Sequence, residues 1–108
     1  MQAAICYNEA GQPERAVEIY EESLVGTAFS VRDYGYFLAL AGIARANLGR
    51  PDDAAADGRE SLRIAVATGS VRTLRELSRL LDRLRPWAAR PGAQVFGDDL
   101  LTSVSRIR

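Results

Sequence analysis

Residues 41–62, AGIARANLGRPDDAAADGRESL, repeat the pattern of residues 3–24, AAICYNEAGQPERAVEIYEESL. Eight of the 22 aligned positions are identical at an offset of 38 residues, and the alignment needs no gap. Identity of this density exceeds what an alanine-rich composition produces by chance. A sequence that repeats at this spacing is typical of proteins built by stacking one small unit several times.

Both repeated segments carry the same turn signal. Gly11 stands two residues before Pro13, and Gly49 stands two residues before Pro51. Glycine adopts the left-handed backbone found just past a helix end, and proline fits the first turn of the following helix. The repeat therefore predicts two antiparallel helical hairpins.

The rest of the chain is also predicted to be helical. No run of alternating β-branched residues is long enough for a strand. Residues 86–97 hold two prolines and two glycines and are predicted to form a loop, followed by a short amphipathic helix at 98–107. We predict an all-α fold with five main helices, at residues 1–10, 13–25, 33–48, 51–67 and 71–85.

Composition limits the classes of function. The 108 residues suffice for one domain, and 47% of them are hydrophobic, which is ordinary for a globular protein. Fourteen basic residues, all of them arginine, balance fourteen acidic residues. The formal net charge of zero excludes a protein coated with positive charge for binding nucleic acid.

Catalytic chemistry has few candidate groups in this sequence. The chain has no histidine, which removes the commonest general base and the commonest metal ligand. The single cysteine, Cys6, lies between apolar residues and is predicted to be an inert core residue. Glycine-rich phosphate-binding motifs are absent. We therefore predict a protein that is not an enzyme and that holds no cofactor or metal.

The sequence predicts a cytoplasmic protein. Its N-terminus lacks the basic region of a secretory signal, and the longest uncharged run, residues 34–44, is shorter than the roughly 18 residues of a membrane span. We expect no contact with a membrane.

Both units resemble the tetratricopeptide repeat. The residues that carry the resemblance are Ala4, Tyr7, Gly11, Ala16, Tyr20 and Leu24, and then Leu38, Gly42, Gly49, Ala54, Ser61 and Leu62. Arg45 and Gly58 stand where the family prefers aromatic residues. The resemblance implies hairpins stacked as a short right-handed solenoid over residues 1–85. Its units would be residues 1–25 and 33–67 with a capping helix at 71–85, and a loop and short C-terminal segment would follow at 86–108.

The second half of the chain resembles a more specific group of proteins with this repeat. Residues 68–101, TGSVRTLRELSRLLDRLRPWAARPGAQVFGDDLL, resemble the C-terminal end of tetratricopeptide-type regions in actinobacterial helix-turn-helix transcriptional regulators. This resemblance implies a sensor or dimerisation region separated from its DNA-binding part. It also leaves open whether Met1 is the natural start.

The resemblance further implies a concave groove lined by the first helix of each hairpin. Asparagine suits such a groove because its amide both donates and accepts hydrogen bonds to a peptide backbone. The alternative is that these residues are ordinary surface positions. They are Ile5, Asn8 and Glu9 from the first unit, and Tyr36, Ala39, Ile43, Ala46 and Asn47 from the second.

Arginines form the other candidate surface. Arg72, Arg75, Arg79 and Arg83 share one side of the helix predicted at 71–85, and leucines occupy the opposite side. One interpretation is a surface for an acidic partner or phosphate, and the alternative is a solvated face with helical ion pairs. We favour a protein or peptide as partner, then a homodimer through an unfilled apolar edge of the first helix. Direct binding of nucleic acid ranks last.

Overall fold

The computed structural model describes residues 4–5, 11–26 and 30–107. It contains no strand in these residues, which confirms the all-α prediction. Five helices have both ends within the described residues, and a 3₁₀ turn at Arg85–Trp87 follows the fourth of them. The helices are α1 (Pro13–Gly26), α2 (Val31–Asn47), α3 (Pro51–Thr68), α4 (Val71–Arg83) and α5 (Pro91–Ile107).

The ends of α1 to α4 fall within two residues of their predicted positions. Gly11 precedes α1 and Gly49 precedes α3. Their φ angles are 79° and 81°, the left-handed conformation expected of glycine at a turn. Pro51 occupies the first turn of α3, and the Ser70 hydroxyl caps α4 by accepting a hydrogen bond from the Thr73 amide at 3.3 Å. Most of the helix predicted at residues 1–10 lies outside the described residues.

Helices α2 and α3 form an antiparallel hairpin. Near the start of α2, the Ser61 hydroxyl of α3 donates a hydrogen bond to the Gly35 carbonyl at 2.6 Å. Near the end of α2, Arg45 bonds Asp57 in the first half of α3. Helix α1 packs on the side of α2 that presents Ala41 and Ala44.

The structure differs from the prediction in the C-terminal part of the chain, where α5 is longer than expected. The predicted loop at residues 86–97 is wrong from Pro91 onward, because Pro91 begins α5 and residues 98–107 are its second part. Gly92 and Gly97 are both helical residues, and Gly97 allows a close approach, since a Cβ there would lie 3.2 Å from Leu81. Helices α4 and α5 therefore form a second antiparallel hairpin, which packs against α2 and α3.

The repeat spacing continues into α5. Tyr20, Gly58 and Phe96 follow one another at intervals of 38 residues, in α1, α3 and α5. Gly58 has no side chain, and a Cβ there would lie 2.9 Å from the Phe96 ring. Phe96 thus fills the space that an aromatic residue at position 58 would have needed. Leu62 and Leu100 keep the same interval and are both buried.

Two groups of apolar side chains form the core, and both include residues of α2. One group joins α1 to α2, and the other joins α2 to the remaining three helices. Helix α2 is consequently apolar on several sides, as a helix surrounded by others must be. Among the described helices, none has both the length and the apolar character needed to cross a membrane.

Candidate functional site

A cleft of about 300 Å³ lies between α2 and α4 and is the best candidate for a binding site. We call it the α2–α4 cleft. Five residues of the two predicted surfaces line this cleft, namely Ile5, Ile43, Asn47, Arg79 and Arg83. The remaining lining residues are Tyr20, Leu40 and Glu76.

The floor of the α2–α4 cleft is apolar and fixed. Tyr20 of α1 is almost fully buried, and Ile43 of α2 is 7% exposed. Leu40 packs against both core groups, so its position depends on α1 as well as on the other helices. An apolar floor held by three packed helices is a preformed surface for an apolar side chain.

The rim of the cleft is charged along α4. Arg79 is 70% exposed and lies 3.7 Å from Glu76, whose side chain is only 14% exposed. Arg83 is exposed and makes no salt bridge within the described residues. Asn47 stands exposed at the end of α2. The cleft therefore presents two guanidinium groups above an apolar floor, with one carboxylate already placed beside an arginine.

The other residues of the predicted arginine surface lie elsewhere on α4. Arg72 stacks on the Tyr36 ring at 3.8 Å and lies 3.7 Å from Asp33, so it joins α4 to the first part of α2. Tyr36 also meets Phe37 edge to face, at 5.3 Å between ring centres. Arg75 is exposed and does not line the α2–α4 cleft.

Four of the predicted groove residues are either buried or lie outside the described residues. Ala39 is fully buried and Ala46 is 4% exposed, so the prediction that they line a groove is wrong. The physical reason is that the α4–α5 hairpin covers this side of α2. Asn8 and Glu9 lie outside the described residues.

A partly buried ion pair lies within the helix packing and was not predicted. Arg45 of α2 bonds Asp57 of α3 and reaches Glu21 of α1 at 3.1 Å, so it links three helices. Burial raises the pKa of the Asp57 carboxyl, and this effect outweighs the lowering by Arg45. The Nε of Arg45 is buried without a partner in the described region. The one feature of the sequence that could have indicated this ion pair is Arg45, a charged residue inside the apolar segment of α2.

A second cleft, beside the start of α3, is less suited to binding. Its charges already pair with one another, since Arg90 donates two hydrogen bonds to Asp52 at 3.0 and 2.9 Å and Arg50 bonds Asp53. The hydrogen bond from Arg90 lowers the pKa of Asp52 below its ordinary value. Within the described ranges, no three acidic, cysteine or histidine residues come together as a metal site.

No family model, curated protein or solved structure matches this chain.

Proposed function

We propose that this chain is a non-catalytic interaction module of tetratricopeptide-repeat type, which binds a protein or peptide segment in the α2–α4 cleft. The observation that carries the proposal is the combination of a fixed apolar floor with the exposed guanidinium groups of Arg79 and Arg83. Such a surface suits a segment with one apolar side chain beside acidic groups. The amide of Asn47 is suited to a peptide backbone.

The repeat-type fold is supported by the pairing of the helices. Two antiparallel hairpins lie side by side, with α2 against α4 and α3 against α5. Buried residues recur at intervals of 38, as in Leu62 and Leu100. A solenoid stacked in this way presents the first helix of each hairpin on one surface.

A cellular setting is part of the same proposal. The resemblance of residues 68–101 to regions of actinobacterial transcriptional regulators supports a role as a cytoplasmic sensor or dimerisation region. In that setting the α2–α4 cleft would receive the segment that the regulator senses.

The proposal is tested by selecting peptides from a displayed random library on the folded chain and measuring their affinity. Arg83→Glu should weaken binding of a selected peptide about tenfold, because it reverses a charge at the rim. Arg75→Glu is the matched control, since it reverses an exposed charge on the same helix outside the cleft. It should change the affinity by less than about twofold.

Failure to enrich any peptide over a denatured control would contradict the proposal. Equal losses from Arg83→Glu and Arg75→Glu would also contradict it, because they would show that the charge of α4 acts without the cleft.

The second candidate function is binding of a polyanion along α4. The observation in its favour is that Arg75 and Arg83 are exposed and make no salt bridge among the residues described. Binding would then weaken steeply with salt, and Arg75→Glu would be as harmful as Arg79→Glu. The affinity of a fluorescent single-stranded oligonucleotide across salt concentrations distinguishes the two functions.

A further inference from the structure

Three charged residues of α4 form the rim of the α2–α4 cleft, and their spacing places them on one side of the helix. They are Glu76, Arg79 and Arg83, which follow one another at intervals of three and four residues. No other charged residue is found among the described residues that line the cleft. The rim therefore holds two positive charges and one negative charge, which leaves a net charge of +1.

The negative charge lies close to one arginine without occupying its hydrogen-bond donors. A carboxylate oxygen of Glu76 lies 3.7 Å from a terminal nitrogen of Arg79, which is longer than a hydrogen bond. Arg83 makes no salt bridge in the described part of the chain. Both guanidinium groups can therefore donate hydrogen bonds to a ligand, while Glu76 offsets one of their two charges.

The charge of the rim suits a carboxylate better than a phosphate group. Attraction to the rim rises in proportion to the charge of a ligand, whereas the cost of removing the ligand from water rises with the square of its charge. A carboxylate has one charge and two acceptor oxygens for two guanidinium donors. A phosphate monoester carries nearly two negative charges at neutral pH, so a net charge of +1 offsets too little of its desolvation cost.

The floor of the cleft limits the remainder of the ligand. Tyr20 and Ile43 are buried, and Leu40 is held between the two core groups. The cleft volume of about 300 Å³ is at the lower end of the range for small-molecule sites. One apolar side chain or a short hydrocarbon chain therefore fits beside the charged rim.

We propose that Glu76 determines the specificity of the α2–α4 cleft by restricting its ligands to a singly charged carboxylate beside a short apolar group. This proposal rests on the proposed function, because it takes the α2–α4 cleft as the binding site. Glu76 repels every anion, but it repels a doubly charged group about twice as strongly. Such a selective penalty is a means by which binding sites reject a competing ligand. A peptide segment and a free aliphatic acid both provide the required carboxylate.

The test compares two probes of six carbons, hexanoate and hexyl phosphate, which are titrated into the chain at neutral pH and followed by the NMR shifts of backbone amides. The wild type should bind hexanoate more tightly than hexyl phosphate. Glu76→Gln keeps the size of the side chain and removes its charge. It should tighten the binding of hexyl phosphate about tenfold and that of hexanoate only about threefold, because the repulsion removed is proportional to the charge of the probe.

Asp82→Asn is the matched control, because it also removes one negative charge from α4. Asp82 bonds Arg85 and is not among the residues that line the cleft. This variant should change the affinity for either probe by less than about twofold. The melting temperatures of both variants should stay close to that of the wild type, since each substitution removes one ion pair within a helix.

Three results would overturn the proposal. The first is that hexanoate binds no more tightly than hexan-1-ol, which has six carbons and no charge. The second is that Glu76→Gln leaves the ratio of the two affinities unchanged. The third is that Asp82→Asn changes this ratio as much as Glu76→Gln does.

The proposed function and the role of Glu76 fail separately. A selected peptide that displaces hexanoate supports both and identifies a peptide as the source of the carboxylate. The expected response of the probes to Glu76→Gln without any enriched peptide contradicts the proposed function and supports a free aliphatic acid as the ligand. A peptide whose binding depends on Arg83, together with an unchanged ratio in Glu76→Gln, preserves the proposed function and overturns the role of Glu76.

Discussion

Phe96 is the residue whose truncation most directly tests the packing of α5. Its ring is fully buried beside Gly58 of α3, in the part of the chain where a loop was predicted. Truncating a buried phenylalanine to alanine costs about 3–5 kcal/mol. Because domains of this kind are stable by only about 5–15 kcal/mol, Phe96→Ala should remove a large part of the free energy of unfolding.

A double-mutant cycle that combines Phe96→Ala with Gly58→Ala tests whether the lost stability comes from the contact between these two residues. In the wild type, a Cβ at position 58 would lie 2.9 Å from both the Phe96 ring and the Leu80 side chain, which is too close. We expect Gly58→Ala to cost about 1–3 kcal/mol despite the better helix propensity of alanine. When Phe96 is also alanine, much of the obstruction is gone and the same substitution should cost less. The coupling between the two sites should reach at least about 1 kcal/mol.

Urea unfolding followed by far-UV circular dichroism and by the fluorescence of the single tryptophan, Trp87, provides the measurement. Val95→Ala is the control on the same helix and should cost only about 0.5 kcal/mol, because Val95 is partly exposed. A loss below about 1 kcal/mol for Phe96→Ala would refute the described packing of α5. Strict additivity with Gly58→Ala would refute the close approach of the two residues.

Two further predictions concern Asp57 and Gly49. Burial raises the pKa of Asp57 above its ordinary value of 3.8, so protonation of this group favours the folded state. The test compares the free energies of unfolding of the wild type and of Asp57→Asn as the pH rises. The wild type should lose stability relative to Asp57→Asn between pH 3.8 and the raised pKa. A relative gain in stability over this range would contradict the prediction. Gly49→Ala should lose about 1 kcal/mol in urea unfolding because the φ angle of Gly49 is 81°. Gly92→Ala should be neutral or stabilising, since its Cβ would lie at an ordinary 3.5 Å from Ala55, and equal losses at the two glycines would show the turn argument to be wrong.

The helix boundaries were predictable because the turns depend on local chemistry. A glycine that adopts a left-handed backbone and a proline that starts a helix act within a few residues, so Gly49 and Pro51 suffice to place the end of α2 and the start of α3. Ser70 acts just as locally, since its hydroxyl caps α4 by accepting a hydrogen bond from the Thr73 amide.

The start of α5 was not predictable by the same rules. Pro91, Gly92 and Gly97 together indicate a loop when each residue is judged by its own preference. In the structure Pro91 begins the helix, both glycines are helical, and Gly97 allows a close approach to Leu81. The repeat spacing aligns Tyr20 and Gly58 with Phe96, but it aligns Gly49 and Pro51 with Trp87 and Ala89, so it does not place the start of α5 either.

The candidate site was only partly predictable. Ile43, Asn47 and Arg79 do meet in one cleft, since helical periodicity places each of them on the correct side of its helix. Ala39 was misplaced because α2 is apolar on several sides, and periodicity cannot show which side a later helix will cover. The ion pair of Arg45 and Asp57 depends on the pairing of two helices, which no local pattern in the sequence specifies.

The helix contacts also bear on how fast the chain can fold. Extensive contacts join each described helix only to helices one or two places away along the chain. Contacts between distant residues slow folding because long loops must close first, so this arrangement belongs with the fast-folding helical proteins. The α2–α3 hairpin can therefore form before α5 packs against it.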